Sequence, residues 1–205
     1  MGGRITVAIA AGLAALGLVP SCATPPENPE DLCAIFEEKR AWYRDAVSSQ
    51  ERWGVPEPLQ LALIHQESSF RARARPPRRR FLWILPGSRP SSAYGYGQVV
   101  DSTWTAYRRH SGRRGADRSD FGDVTDFIGW YADHLQRRAG VSKIDAYGLY
   151  LAYHEGPRGF SRGTHNQKRW LLNAAHRVES RTRRYTQQYA GCKERLDRPW
   201  WRRLF

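Results

Sequence analysis

The sequence predicts an all-α fold. Apolar residues recur at spacings of three and four along most of the chain, and no segment alternates apolar and polar residues over the length of a strand. The 205 residues, 40 % apolar and 12 % aromatic, supply a core for one domain with little left over. A mean hydropathy of −0.68 excludes a polytopic membrane protein, and 25 aromatic residues exclude a disordered chain.

Each helix has its own signals. Leu32, Ile35, Phe36, Tyr43, Ala46, Val47 and Trp53 mark one amphipathic helix ending at Gly54. The next starts after Pro56 and runs through Leu59, Ala62, Leu63, Gln66 and Phe70, apolar on nearly every side between Leu59 and Ile64 and therefore buried. Asp101, Ser102 and Thr103 offer caps for a third helix carrying Trp104 and Tyr107. Asp123 or Thr125 caps a fourth, with Phe127, Ile128, Tyr131 and Leu135, stopped at Gly140. Ser142-Lys143-Ile144-Asp145 opens a fifth, which Gly156-Pro157 terminates, and a last helix spans Gln167 to Tyr189 and meets Gly191.

Two segments stand apart. Arg71 to Ser92 is rich in proline and basic residues around Phe81-Leu82-Trp83-Ile84-Leu85, and reads as a loop insertion with an apolar tip, a lid or groove wall. Residues 198–205 form a short basic aromatic tail.

The N-terminus bears on the compartment. Arg4 precedes an apolar run, Ile5 to Val19, which suits the core of a secretory signal better than a membrane span. Val19-Pro20-Ser21-Cys22 resembles a bacterial lipoprotein box, although proline is an unusual occupant; an ordinary signal with a chance cysteine is the alternative. Residues 1–21 are thus expected to be a leader, Cys22 a lipidation site, residues 22–30 a proline-bearing tether and residues 31–197 the folded domain. Two cysteines remain, Cys33 and Cys192. In an oxidising compartment a pair is expected to bridge and close almost the whole domain into a loop; two buried free thiols are the alternative. The six histidines show no ligand spacing with cysteines or carboxylates, so neither a metal nor a cofactor is expected.

A formal charge of +13, from 29 arginines and 4 lysines against 20 acidic residues, suits an anionic partner or surface. The arginines are scattered over loops, turns and the tail rather than gathered in one stripe, so nucleic acid is not predicted.

Glu67 carries the chemistry. It follows Leu63 by four positions and Leu59 by eight, at the margin of the apolar stripe, where incomplete solvation raises a carboxyl pKa towards the range a general acid needs. A surface helix glutamate would look the same, and helix position alone does not separate the two.

The surrounding motifs do. Glu67-Ser68-Ser69-Phe70, Gly95-Tyr96-Gly97-Gln98 and Ala152-Tyr153-His154 resemble, in order, the Glu-Ser, Gly-Leu-Met-Gln and Ala-Tyr-Asn signatures of the soluble lytic transglycosylase catalytic domain, a lysozyme-like family that cleaves bacterial peptidoglycan. The resemblance covers roughly Leu59 to Tyr189. It implies a single lysozyme-like helical domain with Glu67 as catalytic acid/base. It also implies that Ser68 helps hold the substrate or the glutamate, that Gln98 contacts sugar, and that Tyr153 directs its phenol at Glu67. Tyr96 and Gly97 replace Leu-Met, so Tyr96 is expected to add an aromatic contact to the groove; His154 replaces the asparagine and sets a titratable group beside the site.

A hydrolytic glycosidase ordinarily uses two carboxyls, whereas only Glu67 lies in a motif. The resemblance therefore implies non-hydrolytic cleavage between N-acetylmuramic acid and N-acetylglucosamine, leaving 1,6-anhydromuramoyl ends. Glu155, just after the third motif, is the one possible second carboxyl and would permit a lysozyme-type hydrolase; a catalytically idle glycan-binding module is the other alternative. The expected partners are peptidoglycan strands and, through the lipid anchor, the outer membrane, with the protein a periplasmic monomer.

Overall fold

The computed structural model describes residues 24–77, 80–81, 85–86 and 90–198. Cys22, the leader and residues 199–205 of the tail lie outside them.

Among the described residues seven α-helices form the body: α1 (Leu32–Glu38), α2 (Arg40–Trp53), α3 (Glu57–Ser68), α4 (Asp101–Ser111), α5 (Phe121–Ala139), α6 (Ala146–Ser161) and α7 (Arg169–Asp197), with a 3₁₀ turn at Thr164–Gln167. Helix α3 is the central one. Leu59, Leu61, Ala62, Leu63 and Ile64 are buried on successive faces, as expected of a helix with no polar side. Around it, α2 packs on α5, α7 on α3 and α1, and α6 on both α5 and α7. The aromatic centre of this packing is Trp42, stacked on Phe121 at 4.1 Å and on Phe70 at 5.7 Å.

The structure departs from the sequence reading at several boundaries. The first helix is two, broken at Lys39 (φ −109°, ψ 66°). No glycine or proline marks the break; it lets Leu32, Ile35 and Phe36 face α7 while Trp42 and Ala46 face α5. Asp101 is the first residue of α4 rather than its cap, the N-cap being Val100. Helix α5 begins a turn early, because Asp120 accepts from the Asp123 N–H at 2.9 Å. Gly156-Pro157 kinks α6 instead of ending it: Gly156 sits at φ 69°, ψ 169°, a region open to glycine alone, and helix resumes to Ser161. Helix α7 passes through Gly191 because Cys192 and Leu196 beyond it still have core to bury.

The Arg71 to Ser92 segment contains a minimal antiparallel hairpin, β1 (Arg80–Phe81) with β2 (Leu85–Pro86), Phe81 opposite Leu85. Most of its apolar tip lies outside the described residues. Cys33 on α1 and Cys192 on α7 form a disulfide, Cα atoms 6.0 Å apart, across a separation of 159 residues.

Candidate active site

A cavity of about 520 Å³ opens between the end of α3, the 90–103 segment, α5 and α6. Glu67 lines it, together with Gln98, Tyr131, Tyr153, His154 and Glu155. Two of the three sequence motifs end in backbone that side chains rarely adopt: among the described residues, positive φ outside glycine occurs at Ser69 (50°), Phe70 (59°) and Gln98 (48°) alone. Such conformations cost roughly 1–3 kcal/mol each and persist where the surroundings over-determine them. Here Phe70 is locked into the core against Trp42 and His65, which stops α3 one residue past Glu67 and leaves that side chain on the cavity wall.

Glu67 is half-buried among apolar groups. Burial pushes its carboxyl up to about 7, and a hydrogen bond from the Tyr150 hydroxyl opposes that rise. Tyr150 and Tyr153 both have strongly raised pKa values, first from burial and then from the Glu67 charge, so both phenols remain donors at any physiological pH. Tyr153 does not direct its hydroxyl at Glu67: it donates to the Gly97 carbonyl at 2.8 Å. The approach is possible because residue 97 has no side chain; a Cβ there would lie 3.0 Å from the tyrosine oxygen.

The expected set is only partly assembled. Glu67, Gln98, Tyr153 and His154 meet at one cavity, whereas Ser68 and Tyr96 do not. The Ser68 side chain, 1 % exposed, donates to the Ile64 carbonyl one turn back. Tyr96, 1 % exposed, points into the core against Trp42 and Phe121, so it adds nothing to the groove; the hydrophobic centre outcompetes the cavity for a ring of that size. The Gln98 amide nitrogen is committed to the Ala74 and Gly95 carbonyls, both at 3.0 Å, leaving its oxygen as what it can offer a ligand. His154 stands at the rim, its Nδ1 3.2 Å from Glu155 and its ring edge-to-face with exposed Trp170 at 4.9 Å.

Tyr150 is the residue that motif reading misses. Its signal was present: it precedes Tyr153 by three positions on one helix, which places both phenols on the same face. Phe127 and Tyr131, two ring neighbours of Tyr153 at 6.3 and 5.5 Å, line the cavity although their spacing on α5 suggested core.

Glu155 is a different kind of carboxyl. Lys168 contacts both its oxygens, at 2.6 and 2.8 Å, and Thr164 and His154 take the remaining positions. Despite burial, which raises it, these bonds hold its pKa at about 2, a permanent anion with its lone pairs occupied.

An all-helical body with a glutamate held at the end of a buried helix, on the wall of a groove, is the lysozyme-like class of domain. The family model of the transglycosylase SLT domain matches residues 10–192, and the chain belongs to that family. No curated protein matches it.

Proposed function

We propose that the protein is a peptidoglycan lytic transglycosylase, with Glu67 as its single catalytic acid and base. The observation that carries this reading is the contrast between the two carboxyls on the cavity wall: Glu67 poised near 7, Glu155 locked as an ion pair. Protonated Glu67 gives its proton to the β-1,4 oxygen leaving muramoyl C1, as the neighbouring 2-acetamido group supports departure. The Glu67 carboxylate then takes the proton of the muramoyl 6-hydroxyl while that oxygen bonds to C1. The acid is restored, water is not consumed, and a 1,6-anhydro end results. Intramolecular attack gains a large entropic advantage over water, and Glu155, the other carboxyl on the cavity wall, is taken up by its ion pair with Lys168. In this reading the Gln98 oxygen accepts from a sugar hydroxyl or amide, His154 contacts the strand at the rim, and Tyr153 holds the Gly97 backbone next to Gln98.

In the same reading residues 1–21 direct export, Cys22 carries lipid, residues 22–30 tether a domain of residues 31–197, and the basic tail of residues 198–205 follows. The enzyme would then work from the outer membrane on the periplasmic wall. Mass analysis of muropeptides released from purified sacculi tests the reaction: products lighter by one water than reducing ends are expected, and predominantly reducing ends would establish hydrolysis instead. Metabolic labelling with a fatty acid, lost in Cys22→Ser, tests the anchor.

A further inference from the structure

Beside the cavity that holds Glu67 lies a second one, along the seam between α5 and α6. Tyr131 and Gly156 line the first; His134 and Pro157, the next seam positions on the same two helices, line the second, and the rings of Tyr131 and His134 stack at 6.1 Å. The second cavity, about 510 Å³, is lined by Arg138, Arg158 and Arg162 together with His134, Pro157 and Ser161. These arginines differ from their neighbours. Arg137 pairs with Asp133, whereas among the described residues no carboxylate lies within ion-pairing distance of Arg138, Arg158 or Arg162. The break at Gly156 sets off the short helical segment that carries Arg158 and is capped by Arg162.

Three arginines lining one concave surface, with no carboxylate to pair them among the described residues, suit carboxylate ligands, which guanidinium forks grip through paired N–H donors. Burial and the nearby charges of Arg138 and His110 keep His134 towards its neutral form, so the positive character is that of the arginines. We propose that this cavity binds the free carboxylates of the short acidic peptide carried on the lactyl group of muramic acid, beside the bond that is cut. The proposal rests on the reading of the first cavity as a peptidoglycan site. It makes the enzyme selective for peptide-bearing strands, with a selectivity seated one helical turn along α5 from Tyr131 on the wall of the first cavity.

Calorimetric titration of the full chain with a muramoyl peptide bearing free carboxylates, and with its carboxyl-amidated counterpart, tests this without turnover. Wild type should bind the free acid about tenfold more tightly, the advantage should fall with added salt, and Arg158→Gln/Arg162→Gln should lose it. Both side chains are exposed, so a circular dichroism melt of the variant should match wild type. Equal affinity for the two peptides in wild type, or an undiminished advantage in the variant, overturns the proposal. So does an arginine-dependent preference for anionic phospholipid vesicles over the peptide. Discrimination between peptides that persists while sacculi yield no anhydro products would instead overturn the transglycosylase reading and leave this site standing.

Discussion

At the scale of single residues the site is governed by how one carboxyl is desolvated. Glu67→Gln should keep the fold and glycan binding while lowering muropeptide release by at least the ~10²- to 10⁴-fold that general acid–base catalysis contributes. A stability effect of definite sign accompanies it. A carboxyl raised from 4.5 to about 7 in the folded state binds more protons folded than unfolded across that interval, so stability declines as pH rises through it and stays lower above. Removing the charge should therefore stabilise the protein at pH 8 by on the order of 1–3 kcal/mol and do little at pH 4, as read from melts at the two values. Tyr150→Phe removes the hydrogen bond that favours the ionised form, so the limb of the pH–rate profile that reports Glu67 should move to higher pH. Much of this was visible in the sequence, because Glu67, Gln98 and Tyr153 stand in motifs. Tyr150 was not, since a tyrosine on an apolar helix looks like core until a carboxyl is seen against it. Ser68 and Tyr96 mislead for the converse reason: a motif conserves a neighbourhood, and nothing in its spelling says which side chain turns outward.

At the scale of elements, period and punctuation predicted most helices, and competition between local and tertiary terms decided the exceptions. Gly54 and Gly140 end helices in left-handed caps as expected. Gly191 does not, because the burial available to Cys192 and Leu196 outweighs the ~1 kcal/mol helix cost of a glycine. The break at Lys39 was illegible, being imposed by two packing partners on a sequence that would continue a helix. The kink in α6 gives a measurable consequence. Gly156→Ala would force a side chain into φ 69°, ψ 169°, so it should cost about 1–3 kcal/mol in denaturant unfolding. Because Gly156 lies on the wall of the first cavity and adjoins Pro157 in the second, activity should fall by more than that stability loss explains.

At the scale of the molecule, the disulfide joins the first helix of the body to the end of the last. Replacing Cys33 and Cys192 together by serine should lower stability by roughly 2–5 kcal/mol, measured as the shift in denaturant midpoint between oxidised wild type and the variant. Cysteine arithmetic allowed the pair and the fold supplies its geometry, with the Cα atoms close because α1 and α7 lie against one another. The overall charge of +13 was a poorer guide. Its meaning depends on which arginines have partners, and pairing across 151 to 158 residues, as of Arg181 with Glu30 or Arg195 with Glu37, is beyond what a sequence pattern can display.

The meeting of first and last helices has a topological consequence. Lys39 bonds the Thr24 hydroxyl, while its successors Arg40 and Tyr43 bond the Leu196 carbonyl and the Asp197 carboxyl, so both ends of the described chain rest on the start of α2. The body is in effect a ring that happens to be cut at that corner. A circular permutant with a short linker from Asp197 back to Thr24, opened at the exposed Arg114 and Gly115, should fold cooperatively and retain the helical circular dichroism of the parent, since no buried backbone is severed.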